Sequence, residues 1–125
     1  MRKSEQLEQI ALNQYCTILE RQNKIIFAFS VPNGGSRNVY EAKNLKREGL
    51  KSGVSDFIVV LKDRVLFIEM KRKPKMLKSG KLSYSGITIS DNQKAFLDRL
   101  QLSQVCEGRV CYGFDQAKEF ISENI

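Results

Sequence analysis

The sequence predicts an α/β fold, a mixed four-stranded sheet with helices on both faces. Three observations predict it. Helical and strand periodicities alternate as helix, strand, helix, strand, strand, helix, strand, helix. The central strand pair, Phe57–Leu61 and Val65–Met70, is apolar on both sides and needs cover above and below. The last strand follows that pair through a helical crossover, which joins parallel neighbours, whereas the pair itself is joined by a short turn and is antiparallel.

The elements follow in order. Ser4 to Arg21 reads as a helix: Leu7, Ile10, Ala11, Gln14, Tyr15, Ile18 and Leu19 recur at helical spacing, with Ser4 as N-cap and Glu5 and Glu8 in the first turns. Ile25 to Val31 reads as a strand. Pro32-Asn33-Gly34-Gly35-Ser36 is a loop whose glycines free backbone amides and whose neighbour Arg37 is cationic; it suits either a phosphate or an ordinary tight connection. Asn38 to Glu48 reads as a helix with Val39, Ala42 and Leu45 inward and Gly49 as its C-terminal cap. Its basic end, with Lys43, Lys46, Arg47 and Lys51, serves either an anion or the helix dipole.

After the central pair, Lys71 to Lys81 holds six basic residues in eleven: Lys71, Arg72, Lys73, Lys75, Lys78 and Lys81. Pro74, Ser79 and Gly80 predict a mobile loop there, suited to phosphate contact or simply solvated. Tyr84, Ile87 and Ile89 lead to a third helix. Ser90-Asp91-Asn92-Gln93 has capping-box spacing, Ala95, Phe96, Leu97, Leu100 and Val105 form the apolar stripe, and Gly108 ends the helix. Arg109 to Phe114 is the last strand, and Asp115 caps a final helix through Ala117, Phe120 and Ile121.

The composition bounds the function. With 125 residues, 42% apolar and 28% charged, the chain suits one soluble domain, residues 1–125, around one core. No apolar run approaches the roughly 18 residues of a membrane span. Met1-Arg2-Lys3-Ser4-Glu5 leads into the first helix without a signal-peptide core, so a cytoplasmic protein with no membrane partner is expected. Cys16, Cys106 and Cys111 are odd in number and form no disulfide framework. The chain has no histidine, which excludes His-based triads and histidine metal sites. A metal would be held by oxygen, which suits Mg2+ or Mn2+. The net charge of +7 points to a polyanionic partner, most simply nucleic acid.

The chemistry concentrates at one end of the central hairpin. A two-residue turn at Lys62-Asp63 places Asp56 opposite Glu69 and puts Lys71 on their face. A three-residue turn would move Asp56 out of line. Two adjacent carboxylates can hold a divalent ion, the backbone carbonyl of Met70 can add a ligand, and a lysine beside them can orient water or stabilise developing charge. Read alone, the same residues also suit an ion pair at a strand end.

Gly53-Val54-Ser55-Asp56, then Phe67-Ile68-Glu69-Met70-Lys71, resembles the PD-(D/E)XK nuclease signature. Pro32 to Arg37, the Leu45-Lys46-Arg47-Glu48-Gly49 helix end and Ser90-Asp91-Asn92-Gln93 are similar to the VRR-NUC (virus-type replication-repair nuclease) family. The resemblance runs from Glu5 to the Asp115-Gln116-Ala117 helix. It implies a restriction-endonuclease-like core and metal-dependent hydrolysis of DNA. Asp56 and Glu69 would bind the metal, Lys71 would be the catalytic lysine, and Gln93 the helix glutamine beside the site. Glu5 would be the first-helix acid, with Gln9 and Tyr15 at the family's glutamine and aromatic positions; Glu8 is the alternative. Ser55 stands where the superfamily name has proline, and Arg72 to Ile89 is long for the family.

The resemblance also implies a homodimer acting on branched DNA such as four-way junctions, in a bacterial or phage-infected cell. Asn33, Gly34, Gly35, Arg37, Lys43, Lys46, Lys73, Lys75 and Lys78 are the expected DNA contacts. The alternatives are a non-cleaving DNA-binding module, a nuclease acting on flaps or linear DNA, and a restriction-type enzyme, for which little chain remains to read bases.

Overall fold

A computed structural model describes residues 3–32 and 38–125, so the expected contacts at Asn33, Gly34, Gly35 and Arg37 lie outside the described residues. Four helices, α1 (Lys3–Arg21), α2 (Val39–Arg47), α3 (Asp91–Leu100) and α4 (Phe114–Asn124), accompany six strands. These are β1 (Phe27–Ser30), β2 (Phe57–Val60), β3 (Val65–Lys71), β4 (Lys75–Met76), β5 (Leu82–Ser83) and β6 (Cys106–Tyr112). The main sheet has the order β1-β2-β3-β6, antiparallel except for the parallel β3–β6 seam, and matches the expected mixed sheet.

Alternation along the strands sorts side chains to two layers. Phe57, Val59, Leu66, Ile68, Met70 and Cys111 face α1 and α4, whose Leu12, Cys16, Leu19, Ala117, Phe120 and Ile121 complete the core. On the other face Phe67 meets Phe96 of α3 edge-on, with ring centres 5.7 Å apart. Gly108 lies inside β6 and does not end α3. A Cβ there would come within 2.7 Å of the Leu97 and Leu100 side chains, so its bareness lets α3 lie close to the sheet.

Other local expectations shift. α1 already includes Lys3, so Ser4 sits within its first turn and is not the N-cap. α3 stops at Leu100; Val105 precedes β6, where its carbonyl accepts the Val65 N–H at 2.8 Å, and Ala95 is exposed. α4 starts at Phe114 with Gly113 (φ 96°) at its N-cap, so Asp115 lies in the first turn. Gly49 does close α2: with φ 114°, its N–H reaches the Lys46 carbonyl at 3.1 Å and that of Leu50 reaches Leu45 at 2.8 Å, a Schellman arrangement. The inward face assigned to α2 is only partly covered, with Ala42 and Leu45 half-buried. Among the described residues α2 packs on no helix or strand, and Val39 is 85% exposed. Helical spacing marks an apolar stripe without saying what covers it. Finally, the expected mobile loop after Lys71 contains a two-stranded ribbon, with Lys75 paired to Ser83 and Met76 to Leu82.

Candidate active site

The hairpin register holds the site together. Leu61 N–H donates to the Arg64 carbonyl at 2.8 Å, closing a turn at Lys62-Asp63, and the ladder runs from Val60↔Val65 to Phe57↔Ile68. The next opposed residues are Asp56 and Glu69. Both share the α3-side face with Lys71, away from the main core.

Asp56 Oδ1 accepts the Met70 N–H at 3.0 Å. The Asp56 and Glu69 carboxyls lie side by side, and each bears on the other's ionisation. Glu69 is only 3% exposed. Burial, reinforced by the Asp56 charge, pushes its carboxyl up to about 8. Burial also raises Asp56, while the Met70 N–H holds it down in part. The Lys71 ammonium favours ionisation of both.

The start of α3 supplies the fourth group. Ser90 Oγ accepts from Gln93 N–H (3.1 Å) and Gln93 Oε1 accepts from Ser90 N–H (2.9 Å), the expected capping box. The same Gln93 oxygen accepts from Lys71 Nζ at 3.4 Å. The cap thus aims a side chain across to the sheet. Asn92 Nδ2 ties this turn to Ser52 Oγ at 2.8 Å, just ahead of β2.

No family model and no curated protein matches the sequence. A solved structure does: a "VRR_NUC domain protein" superposes with a TM-score of 0.66 at 19% identity, over 100% of this chain and 90% of that one. The chain has the VRR_NUC fold.

Within this nuclease-like fold, the two α1 acids separate. The Glu5 charge pushes up both Asp56 and Glu69, so it acts on the pair. Glu8 is committed elsewhere: Oε2 accepts the Phe114 N–H at 3.2 Å and Oε1 pairs with Lys73 Nζ at 3.5 Å. Among the described residues no three acidic side chains converge as a ready-made ligand group.

The donors nevertheless fit a hard divalent cation. They are oxygens only, and two of the groups are neighbouring carboxyls, half-buried Asp56 and buried Glu69. The Lys71 carbonyl accepts from Gly113 N–H across the parallel seam (2.9 Å), so by alternation the Met70 carbonyl looks toward Asp56. Gln9 Oε1, one turn beyond Glu5, and Ser55 Oγ, beside Asp56, are buried without a partner among the described residues.

The basic candidates divide. Lys43 and Lys46 lie exposed on α2, which packs on no other element. Lys75 and Lys78 stand on the exposed ribbon. Lys73 is not a free cation: it pairs with Glu8 and, at 3.9 Å, Asp115, and its stem lies where a Gly113 Cβ would be, 2.4 Å from Cγ. No helix among the described residues is long and apolar enough to cross a membrane.

Gly53 has a role that its motif position hid. Its φ is 85°, and a Cβ would lie 2.4 Å from the Asn92 carbonyl carbon. It lets the loop before Asp56 press against the turn that carries Gln93. Gly53→Ala is expected to lose about 1–3 kcal/mol from the dihedral alone, and more from the collision. Gly49→Ala, which has a positive φ but open space around it, is expected to show only the dihedral cost. Urea unfolding of the two variants compares them; equal losses would mean that α3 gives way freely.

Proposed function

We propose that residues 1–125 form one nuclease domain, a metal-dependent, structure-selective DNA endonuclease of the PD-(D/E)XK type acting on branched DNA such as four-way junctions. The observation that carries this reading is the pair of half-buried Asp56 and buried Glu69, opposed across the hairpin with Lys71 and Gln93 beside it. A purely structural ion pair would not need two carboxyls side by side with one of them buried, an arrangement that costs stability.

Asp56 and Glu69, with the Met70 carbonyl and Glu5 beside them, would hold Mg2+ or Mn2+. When bound, the ion polarises the phosphate and lowers the pKa of the attacking water. Asp56 keeps its orientation through the Met70 N–H. Lys71 places its ammonium beside the carboxylates, where it stabilises charge developing on the phosphate oxygens, and Gln93 fixes its direction. A homodimer would present two such sites to one junction and give paired nicks.

The test uses labelled linear, flapped and four-way DNA with manganese, magnesium or EDTA, and the mass of the protein in solution. Metal-dependent cutting that favours the four-way substrate, by a protein of twice the chain mass, is expected. No cutting of any substrate with either metal would overturn the nuclease, leaving a DNA-binding module. Uniform cutting of linear duplex would overturn the structure selectivity, and a monomer would overturn the dimer.

A further inference from the structure

The ribbon between Lys71 and Ser90 has a built root and an open tip. At the root Arg72 Nη2 donates to the Ser85 carbonyl at 2.7 Å, Tyr84 meets the Tyr112 ring edge-on at 4.9 Å between centres, and Lys73 is held by Glu8 and Asp115. The tip is a three-residue loop. Gly80 N–H donates to the Leu77 carbonyl at 2.9 Å and Leu77 N–H to that of Lys81 at 2.8 Å, with Gly80 at φ 84° as this loop type requires. Lys75, Lys78 and Lys81 are exposed and have no acidic partner among the described residues.

Between these cations the surface is apolar. Met76 is 73% exposed, and Leu77 and Leu82 are each 50% exposed. Met76 and Leu82 are directly opposed, so their side chains make one small apolar plate. Among the described residues, no helix or main-sheet strand packs on that plate.

We infer, on the reading of the protein as a nuclease, that the ribbon is a wedge for opened duplex: its lysines hold phosphates while Met76 and Leu82 press against the bases exposed at a branch. Basic ribbons fit the major groove, and apolar side chains inserted between bases are a known means of prising a stack open. The five residues from Lys73 to Leu77 reach at most about 17 Å, against a major-groove depth of about 8.5 Å. Location favours DNA as the partner. One end of the ribbon leaves Lys71 and the other enters the Ser90–Gln93 cap, so both ends are tied to the candidate site. A second copy of the ribbon is a poor partner, because the same three lysines would meet.

The test is binding in EDTA, where nothing is cut, to linear and four-way DNA carrying 2-aminopurine beside the branch. Binding is measured from about 50 to 200 mM salt. The unaltered protein is expected to raise the 2-aminopurine fluorescence and to prefer the four-way form. The double variant Met76→Ser, Leu82→Ser is expected to lose both while keeping its salt dependence. The triple variant Lys75→Gln, Lys78→Gln, Lys81→Gln is expected to flatten the slope of log affinity against log salt by about 2–3. All five positions are exposed, and circular dichroism checks that both variants fold. No fluorescence rise with the unaltered protein, an unchanged rise and preference in the serine variant, or an unchanged slope in the glutamine variant would each overturn the wedge. So would a variant that turns a dimer into a monomer and binds DNA as before, which would make the ribbon a contact between copies. Failure to cut with metal, with the EDTA results as expected, would sink the nuclease reading and leave a DNA-opening ribbon.

Discussion

Lys71→Met protein is expected to cut four-way DNA roughly 10²–10³ times more slowly with manganese while binding it in EDTA about as tightly as the unaltered chain. Lys71 is one cation among many on a chain with net charge +7, so its share of overall DNA attraction is small. Its local share is large. It is the positive charge that favours ionised Asp56 and Glu69, and its ammonium sits 3.4 Å from Gln93 Oε1 beside the pair. Removing it leaves the carboxyls harder to ionise, so the variant is also expected to need more metal for half-maximal rate. Asp56→Asn is the companion: it removes an anionic ligand and should abolish cutting while leaving EDTA binding in place. Rates within tenfold of the unaltered protein for either variant would show that the chemistry lies elsewhere.

Glu69→Gln protein is expected to be more stable than the unaltered chain in EDTA at pH 8.5, although it should not cut. The sign follows from proton binding. The Glu69 carboxyl titrates near 8 in the folded chain against an ordinary 4.5. Below about pH 4.5 both states hold the proton and nothing is lost. Between the two values the folded chain keeps a proton that the unfolded chain has released, so stability falls as pH rises, and the loss is complete above about 8. At about 1.4 kcal/mol per pH unit, with relaxation of the pair, the loss is on the order of a few kcal/mol. The glutamine amide can still donate to Asp56 and carries no charge. Melting temperatures from pH 5 to 9 in EDTA check this, and a Glu69→Gln curve parallel to the unaltered one would refute it. Added manganese at pH 8.5 should raise the melting temperature of the unaltered chain, because the ion supplies the opposing charge, and should leave the glutamine variant nearly unmoved.

Glu69→Gln thus gains stability where it loses activity, as expected of a site that holds like charges together. The ribbon adds a second division of labour. Lys73, which sequence reasoning grouped with the free cations, anchors the root through Glu8 and Asp115, and Lys75, Lys78 and Lys81 remain open to solvent.

What the sequence determined by itself was local. The Lys62-Asp63 turn and the two-residue period of the strands set the register that brings Asp56 opposite Glu69. The Ser90–Gln93 spacing set a cap, and Gly49 set a helix end, because each depends on neighbours within a few residues. Tertiary structure decided which partner each surface found. Gly108 reads as a helix breaker in sequence, yet it serves as the flat place on β6 where Leu97 and Leu100 pack. Glu5 and Glu8 look alike on one helix, but only the packing of α4 against α1 ties Glu8 to the Phe114 N–H and leaves Glu5 acting on the carboxyl pair. The α2 stripe and the ribbon are the same lesson reversed. Periodicity marked a buried face on α2 on which no described helix or strand packs, and Pro74 and Gly80 suggested a loop where cross-strand pairing, a non-local interaction, made a hairpin. The site itself follows the same division. Its carboxylates and lysine are set by register, and the glutamine that steadies the lysine comes from a helix brought to the sheet by long-range packing.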